Sequence, residues 1–305
     1  MHADLANLGW TEDQWNRIAS TVTEEAQRAR VAAQALPTCG PEDPSVVAVP
    51  RYALGTGPAA AGSFTKERLE VNSDPDLHLS TIAVNVELRT ADVADSDLRA
   101  ALIMFRRAAN IIARIEDTIV FNGHGAPVSG VVPPVAGLAG ISSVFTVHGR
   151  AAVAGLLGSA YITALAPAKA AKAAKAAAPT GALLVKAIIN AISGLEARGQ
   201  LGPFACVLND DLFELASDPT PSLVMPRDRI LPFLQGPLLR SSTIAPGGPT
   251  LGVIIALGGE PVEIVVASDI GVRYMQATLE PRYVFRVSER VALRIKDASA
   301  IQLLQ

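Results

Sequence analysis

Glu116 and Asp117 come nearest, by type and spacing, to residues that do chemistry. Side by side at the end of a long apolar segment, they could serve as a general acid and base. Adjacent helical positions point about 100° apart, however, so the two carboxyls do not converge on one substrate. A structural role fits them better: pairing with arginines, or accepting hydrogen bonds from loop amides. The four histidines, His2, His78, His124 and His148, have no metal-ligating partner at helical or hairpin spacing. Cys39 and Cys206 form no CxxC pair, which reads as free thiols in a reducing compartment. The glycine patterns of P-loops, dinucleotide sites and nucleophile elbows do not occur. The reading is of a chain with no catalytic residue, no cofactor and no metal, and not an enzyme.

The bulk properties agree. Half of the 305 residues are hydrophobic and the formal net charge is only -3. Such a chain can bury a large core, with apolar surface left over for other copies. A near-neutral balance disfavours an electrostatic nucleic-acid binder. The start, Met1 to Trp10, lacks a basic stretch followed by an apolar one, so no secretory signal is expected. The apolar stretches 151–166 and 251–258 are interrupted by Gly and Pro and are too short for a membrane span. A soluble, cytoplasmic protein is expected.

The spacing predicts a helix over 11–35, with Thr11 as cap and Gln14 three residues on forming a capping box. Trp15, Ile18, Val22 and Ala26 make its apolar stripe. Residues 37–76 alternate prolines with glycines and small residues, which no helix tolerates. Strand-like pieces at 45–49 and 64–71 predict a two-stranded arm that a neighbouring subunit must support. Residues 81–88 alternate as a half-buried strand. A long helix follows at about 96–120, with Leu98, Leu102, Phe105, Ala109, Ile112 and Ile119 on one face. Ile103, Ile111 and Ile115 are expected to fill a buried flank, and Gly123 to end the run. Residues 123–142 read as loop. The Ala/Lys stretch within 143–180, with Lys169, Lys172 and Lys175, reads as a solvated insertion rather than a basic patch. A helix over 181–198, a buried strand over 204–208 and a helix capped by Asn209 or Asp210 come next. The turn formers Asp218, Pro219, Pro221 and Pro226 then interrupt the chain. The segments 251–257, 261–267, 270–278 and 282–296 read as consecutive strands of a terminal sheet.

Four segments, in order, resemble the family-one encapsulins, shell proteins built on the HK97-type phage-capsid fold. They are the N-terminal helix with Trp10 and Trp15, and the strand and long helix ending in Glu116-Asp117-Thr118-Ile119-Val120-Phe121-Asn122-Gly123. The others are residues 202–213, similar to the family's GPYALVLSPDLY stretch, and the terminal run Phe285-Arg286-Val287 to Lys296. No one motif is decisive; their order and spacing carry the resemblance across most of the chain outside 143–180.

The resemblance implies an α+β fold with a peripheral P-domain, an extended E-loop arm and an axial A-domain. The implied boundaries are 1–44 (N-terminal helix and arm, with the P-domain), 45–76 (E-loop), 77–123 (P-domain with spine helix), 124–250 (A-domain, with the 143–180 insertion) and 251–305 (P-domain terminal strands). It also implies a self-assembling icosahedral nanocompartment that encloses cargo enzymes through a C-terminal targeting peptide. Trp15, Ile18 and Val22 are the implied groove for that peptide. Asp218, Pro219, Thr220, Pro221 and Ser222 are the expected loop near a symmetry axis, at a pore. Some capsids of this fold cross-link an arm lysine; Lys66 is the arm's candidate, and an ordinary surface lysine is preferred. The rival expectation from the same fold is the major capsid protein of a tailed phage or prophage, which packages DNA. An enzyme with an unrecognised site is the weakest of the three.

Overall fold

The computed structural model describes residues 9–43, 45–57, 68–72, 76–124, 145–148, 153–158, 161–163, 180–219, 224–244, 251–280 and 282–305. Helix α1 (Glu12–Ala29) starts on the expected capping box: the Thr11 side chain accepts from the Gln14 amide, and Gln14 returns a bond to the Thr11 backbone. The predicted 11–35 helix is broken at Arg30 and Val31. Arg30 is extended, and a single turn, α2 (Ala32–Ala35), follows. After β1 (Thr38–Cys39) and β2 (Ala48–Val49), the arm rises as β3 (Ala53–Gly57) and returns as β4 (Arg68–Asn72), an antiparallel pair. Its outgoing strand lies beyond the 45–49 piece expected from sequence. That piece instead contains β2, which pairs with β5 (Leu77–His78) at the arm's root.

Strand β6 (Ser80–Arg89), the short α3 (Thr90–Ala94) and the spine helix α4 (Arg99–Asn122) come next. Leu98 caps α4 from the left-handed region, while Asp95 accepts from the amides of Asp97 and Arg99. Gly123 ends the helix at φ 73, as its glycine predicts. It also opens β7 (Gly123–His124), which pairs with β9 (Val153–Ala154); β8 (Phe145–His148) lies between them in sequence. A Cβ on Gly155 would sit 2.2 Å from the Gly123 nitrogen, so this crossing requires a bare backbone.

The remaining elements are β10 (Ile162–Thr163), α5 (Gly181–Ala197), β11 (Phe204–Leu208), α6 (Asp210–Ser217), α7 (Pro226–Leu234), β12 (Leu238–Arg240), β13 (Gly252–Ala256), β14 (Val262–Ala277), β15 (Arg282–Ile295) and β16 (Ile301–Leu304). Thr180 and Asn209 cap α5 and α6.

Two five-stranded sheets organise these elements. The first has the order β1-β14-β15-β6-β8, the second β10-β16-β13-β11-β12. The four strands expected as one terminal sheet are therefore shared out: β13 joins the second sheet, with β16, and β14 and β15 join the first. The segments 261–267 and 270–278 are also one strand, with register shifts between Val266 and Ser268 and between Ser268 and Gly271. One core lies between the first sheet and the helices α1 and α4. It is built from Ile18, Val22, Phe105, Ile112, Ile82 and Phe285, with residues from both sheets joining it. The second sheet carries α5, α6 and α7 over a separate core that includes Ile188, Leu195, Leu212 and Ile230. The expected flank of α4 holds for Ile111 and Ile115 but not for Ile103, which is 65% exposed beside solvent-facing Arg106 and Arg107.

Candidate assembly and docking site

Glu116 and Asp117 tie three elements together. Arg30, leaving α1, forms an ion pair with Glu116 of α4 at 2.6 Å, another with Glu289 of β15, and a third with Asp269 of β14 at 3.1 Å. The Glu116 contact lies outside hydrogen-bonding geometry and is held by charge. Asp117 accepts from the amides of Val31 and Ala32, so it caps α2 and fixes the break after α1. Burial raises the Glu116 carboxyl well above its ordinary range, and neighbouring Glu289 raises it further against the pull of Arg30. Burial pushes Asp117 up to about 7 against the two amide bonds that favour its charge. Burial pulls Arg30 toward neutrality, but Glu289, Glu116 and Asp269 outweigh it and hold the guanidinium charged. A cationic strut among carboxylates is structural chemistry, as the sequence reading of this pair expects. That reading does not find Arg30 or Glu289, because nothing local links positions 30, 116 and 289.

An aromatic cluster sits at the other end of α1. Trp10 stacks on Phe285 at 5.1 Å and meets Trp15 edge-on at 5.0 Å; Phe105 and Tyr274 complete the set. The Trp10 indole donates to the Val93 carbonyl, whereas the buried Trp15 indole N–H has no partner among the described residues. Of the three groove residues expected from sequence, Ile18 and Val22 are 0% and 1% exposed, closed off by the chain's own core. The stripe therefore packs α1 onto its own sheet and spine helix, and only Trp15 reaches toward the surface. Of the expected pore loop, Asp218 and Pro219 are exposed just after α6; Thr220, Pro221 and Ser222 lie outside the described residues. Lys66 and the lysines of 166–180 also lie outside them.

The arm has a firm root and an open blade. Arg294 of β15 forms an ion pair with Glu263 at 2.5 Å, donates to the Pro50 carbonyl and lies 5.2 Å from the Tyr52 ring. Arg290 donates to the Val46 carbonyl. Beyond that root, Leu54 and Val71, direct partners across the hairpin, are 55% and 57% exposed. Leu279, beyond the end of β14, is fully exposed. Among the described residues no group of His, Cys, Asp and Glu is placed to hold a metal, and no helix is long and apolar enough to cross a membrane. Cys206 is buried in β11, which raises its thiol, and Cys39 lies beside Arg294; both are free thiols.

A spine helix over a sheet, a projecting two-stranded arm and a second sheet domain define the HK97-like capsid fold, the class of closed-shell building blocks. A virus-like particle protein from Pyrococcus furiosus matches over 97% of this chain and 100% of its own, with a TM-score of 0.60 at 14% identity. The capsid protein of Myoviridae phage XM1 matches over 90% of both chains, with a TM-score of 0.58 at 13% identity. At such identities these likenesses speak for the fold alone. In sequence, the family described as "Encapsulating protein for peroxidase" matches residues 1–142 and 144–292, and the chain belongs to that encapsulin family of shell proteins. The type 1 encapsulin shell protein EncA of Myxococcus xanthus is 24% identical over 96% of this chain and 93% of its own. Membership decides between the expectations set out above: the chain is a shell protein of the encapsulin line, not an enzyme.

Proposed function

We propose that copies of this chain close into a hollow icosahedral compartment in the cytoplasm and hold a cargo enzyme inside it. The family description makes a peroxidase the first cargo to test. The observation that carries the reading is the arm. Its Leu54–Val71 pair is left open, while Arg294 and Arg290 hold the arm's root in place. A fixed root and an uncovered blade suit contact with another copy, and closed symmetry buries every such blade once.

In this reading the cargo is captured by a short C-terminal targeting peptide lying along the outer edge of α1. Trp15 is the anchor, its half-buried ring the part of the stripe nearest the surface; Ile18 and Val22 act from below by holding the helix in place. The loop from Asp218 through Ser222 lies at a pore. Expression of the full chain with a peroxidase carrying a C-terminal extension tests the proposal. Hollow uniform particles containing the peroxidase, and empty particles once the extension is removed, are expected. Particles filled with nuclease-resistant DNA, or a monomer at every concentration, would overturn it.

A further inference from the structure

The knot around Arg30 holds more acid than its one cation balances. Glu116 and Asp117 of α4 and Glu289 of β15 are all buried, and so is Arg30. Full ionisation would leave two negative charges uncompensated in the core, and buried groups neutralise rather than bear that cost. Asp269 of β14, on the exposed side of Arg30, adds a fourth carboxyl and no relief. The elements packed around the knot supply no second cation among the described residues. Strand β6 sets uncharged Ile82 opposite Glu289, and α2 contributes only alanines and a glutamine. On α1, Arg28 pairs with Glu25. Arg114, two positions before Glu116, lies about 200° round the helix. Arg290, next to Glu289, points to the other face of the sheet and bonds the Val46 carbonyl; Arg273, Arg286 and His148 border the cavity on that same outer face.

The geometry shows where a proton would sit. Asp117 has the amides of Val31 and Ala32 to accept from. Glu116 Oε2 and Glu289 Oε1 are buried with no hydrogen-bond partner among the described residues. As two carboxylates they could only accept. With one proton between them, the neighbouring carboxyls of Glu116 and Glu289 bond each other. Burial raises both groups, the direction that keeps such a proton bound. The pair acts at a break in the chain. Arg30 is extended between α1 and α2, and the chain runs on through α2 and β1 to the arm. Arg30 ties that break to Glu116 and Glu289, and Asp117 ties it through the two amides.

We infer that Glu116 and Glu289 share one proton, and that this proton latches the exit of α1 onto the spine helix and β15. Its loss to solvent strands a further negative charge beside Arg30, and the exit opens while the rest of the subunit stays folded. The sign is fixed by which state holds the proton. The closed exit keeps it, and the open one, with both carboxyls in water, gives it up at ordinary acidic values. Closure is therefore favoured at low pH and weakens as pH rises. The device concerns the segment that leads from α1 into the arm, and it does not rest on the shell reading.

Hydrogen exchange of the full chain tests the latch, read peptide by peptide from about pH 5 to about pH 7 and corrected for the chemical exchange rate. Amides 31–36 are expected to be at least about tenfold less protected than those of α5, and to lose about tenfold or more in protection per pH unit. In Glu116→Gln the side-chain amide supplies a permanent N–H toward Glu289, and the loss per pH unit should shrink by about tenfold. An unchanged pH dependence in that variant would overturn the inference and leave the proton with Asp117. Should the variant not fold, Glu289→Gln is read in the same way. Two results from the unaltered chain would overturn the inference without any variant. Protection equal to that of α5 at each pH would show that the exit opens only with the whole subunit. Protection that does not fall across the range would show that opening releases no proton.

Discussion

Arg30 and Glu116 meet at 2.6 Å, and that contact joins the exit of α1 to the last turns of the spine helix. The same guanidinium holds Glu289, so its removal strands two buried carboxyls in one step. Arg30→Ala is expected to destabilise the subunit by about 3–5 kcal/mol, the range for breaking a buried pair from one side. Arg30→Lys keeps the charge but not the fork and should recover only part of the loss. Chemical denaturation of dissociated subunits measures both.

Asp117 gives the knot a pH dependence of defined sign. Its carboxyl is raised to about 7 in the fold from an ordinary 3.8. Between those values the folded chain binds more protons than the unfolded one, so stability falls as pH rises. The contribution is complete below about pH 4, is lost through pH 7 and is flat beyond; a shift of about three units corresponds to on the order of 4 kcal/mol. Glu116 and Glu289 are raised by burial as well and act in the same direction. Asp117→Asn should flatten this slope, read as denaturation midpoints from pH 4 to 8. An unchanged slope would show that Asp117 does not titrate there.

The arm root makes a separate prediction. Arg294→Ala removes the bond to the Pro50 carbonyl and the contact with the Tyr52 ring, and leaves Glu263 to Lys296 alone, at 3.0 Å. A loss of about 2–3 kcal/mol is expected. Trypsin cleavage after Arg51 or Arg68 should accelerate, because the root is then held only by Arg290 at Val46 and by backbone bonds. Limited proteolysis with mass readout follows it. Cleavage elsewhere in the chain should keep its rate.

The legible parts of the fold were those with local causes. Thr11 and Gln14 close a capping box within four residues, and Asn209 caps α6 over a similar span. Helix α7 escaped notice because Pro226 reads as a turn former, although proline is at home in a first turn. Likewise, Ser268 to Gly271 reads as a turn between two strands, yet it forms bulges within one. Ile103 shows the limit of periodicity, which sets the spacing of apolar residues but not which flank another element will cover. The same limit applies to the site. Glu116 and Asp117 announced a structural role by type, while Arg30, Glu289 and the inward burial of Ile18 and Val22 depend on contacts far apart in sequence.

Trp15 separates docking from packing. Trp15→Leu keeps an apolar side chain against Phe285 but removes the larger indole, whose buried N–H has no partner among the described residues. If the indole ring is the seat of a targeting peptide, particles of the variant should assemble normally and carry less cargo. Trp15→Asp should abolish loading altogether. Cargo per particle, from absorbance and denaturing gels, is the measurement. Undiminished cargo in Trp15→Leu particles would return Trp15 to a purely internal role.

Leu279 is the last test, because its side chain is fully exposed beyond the end of β14. A leucine held out in water contributes nothing to its own subunit, so Leu279→Asp should leave subunit stability within about 0.5 kcal/mol. A shell built by pressing such side chains into neighbours would lose that contact and gain a buried charge. The expected outcome is a normal melt with a smaller assembled fraction in sedimentation. If the fraction holds, Leu279 faces solvent in the particle too, and the burial that closes the shell lies elsewhere, at the Leu54–Val71 blade or beside Ile103.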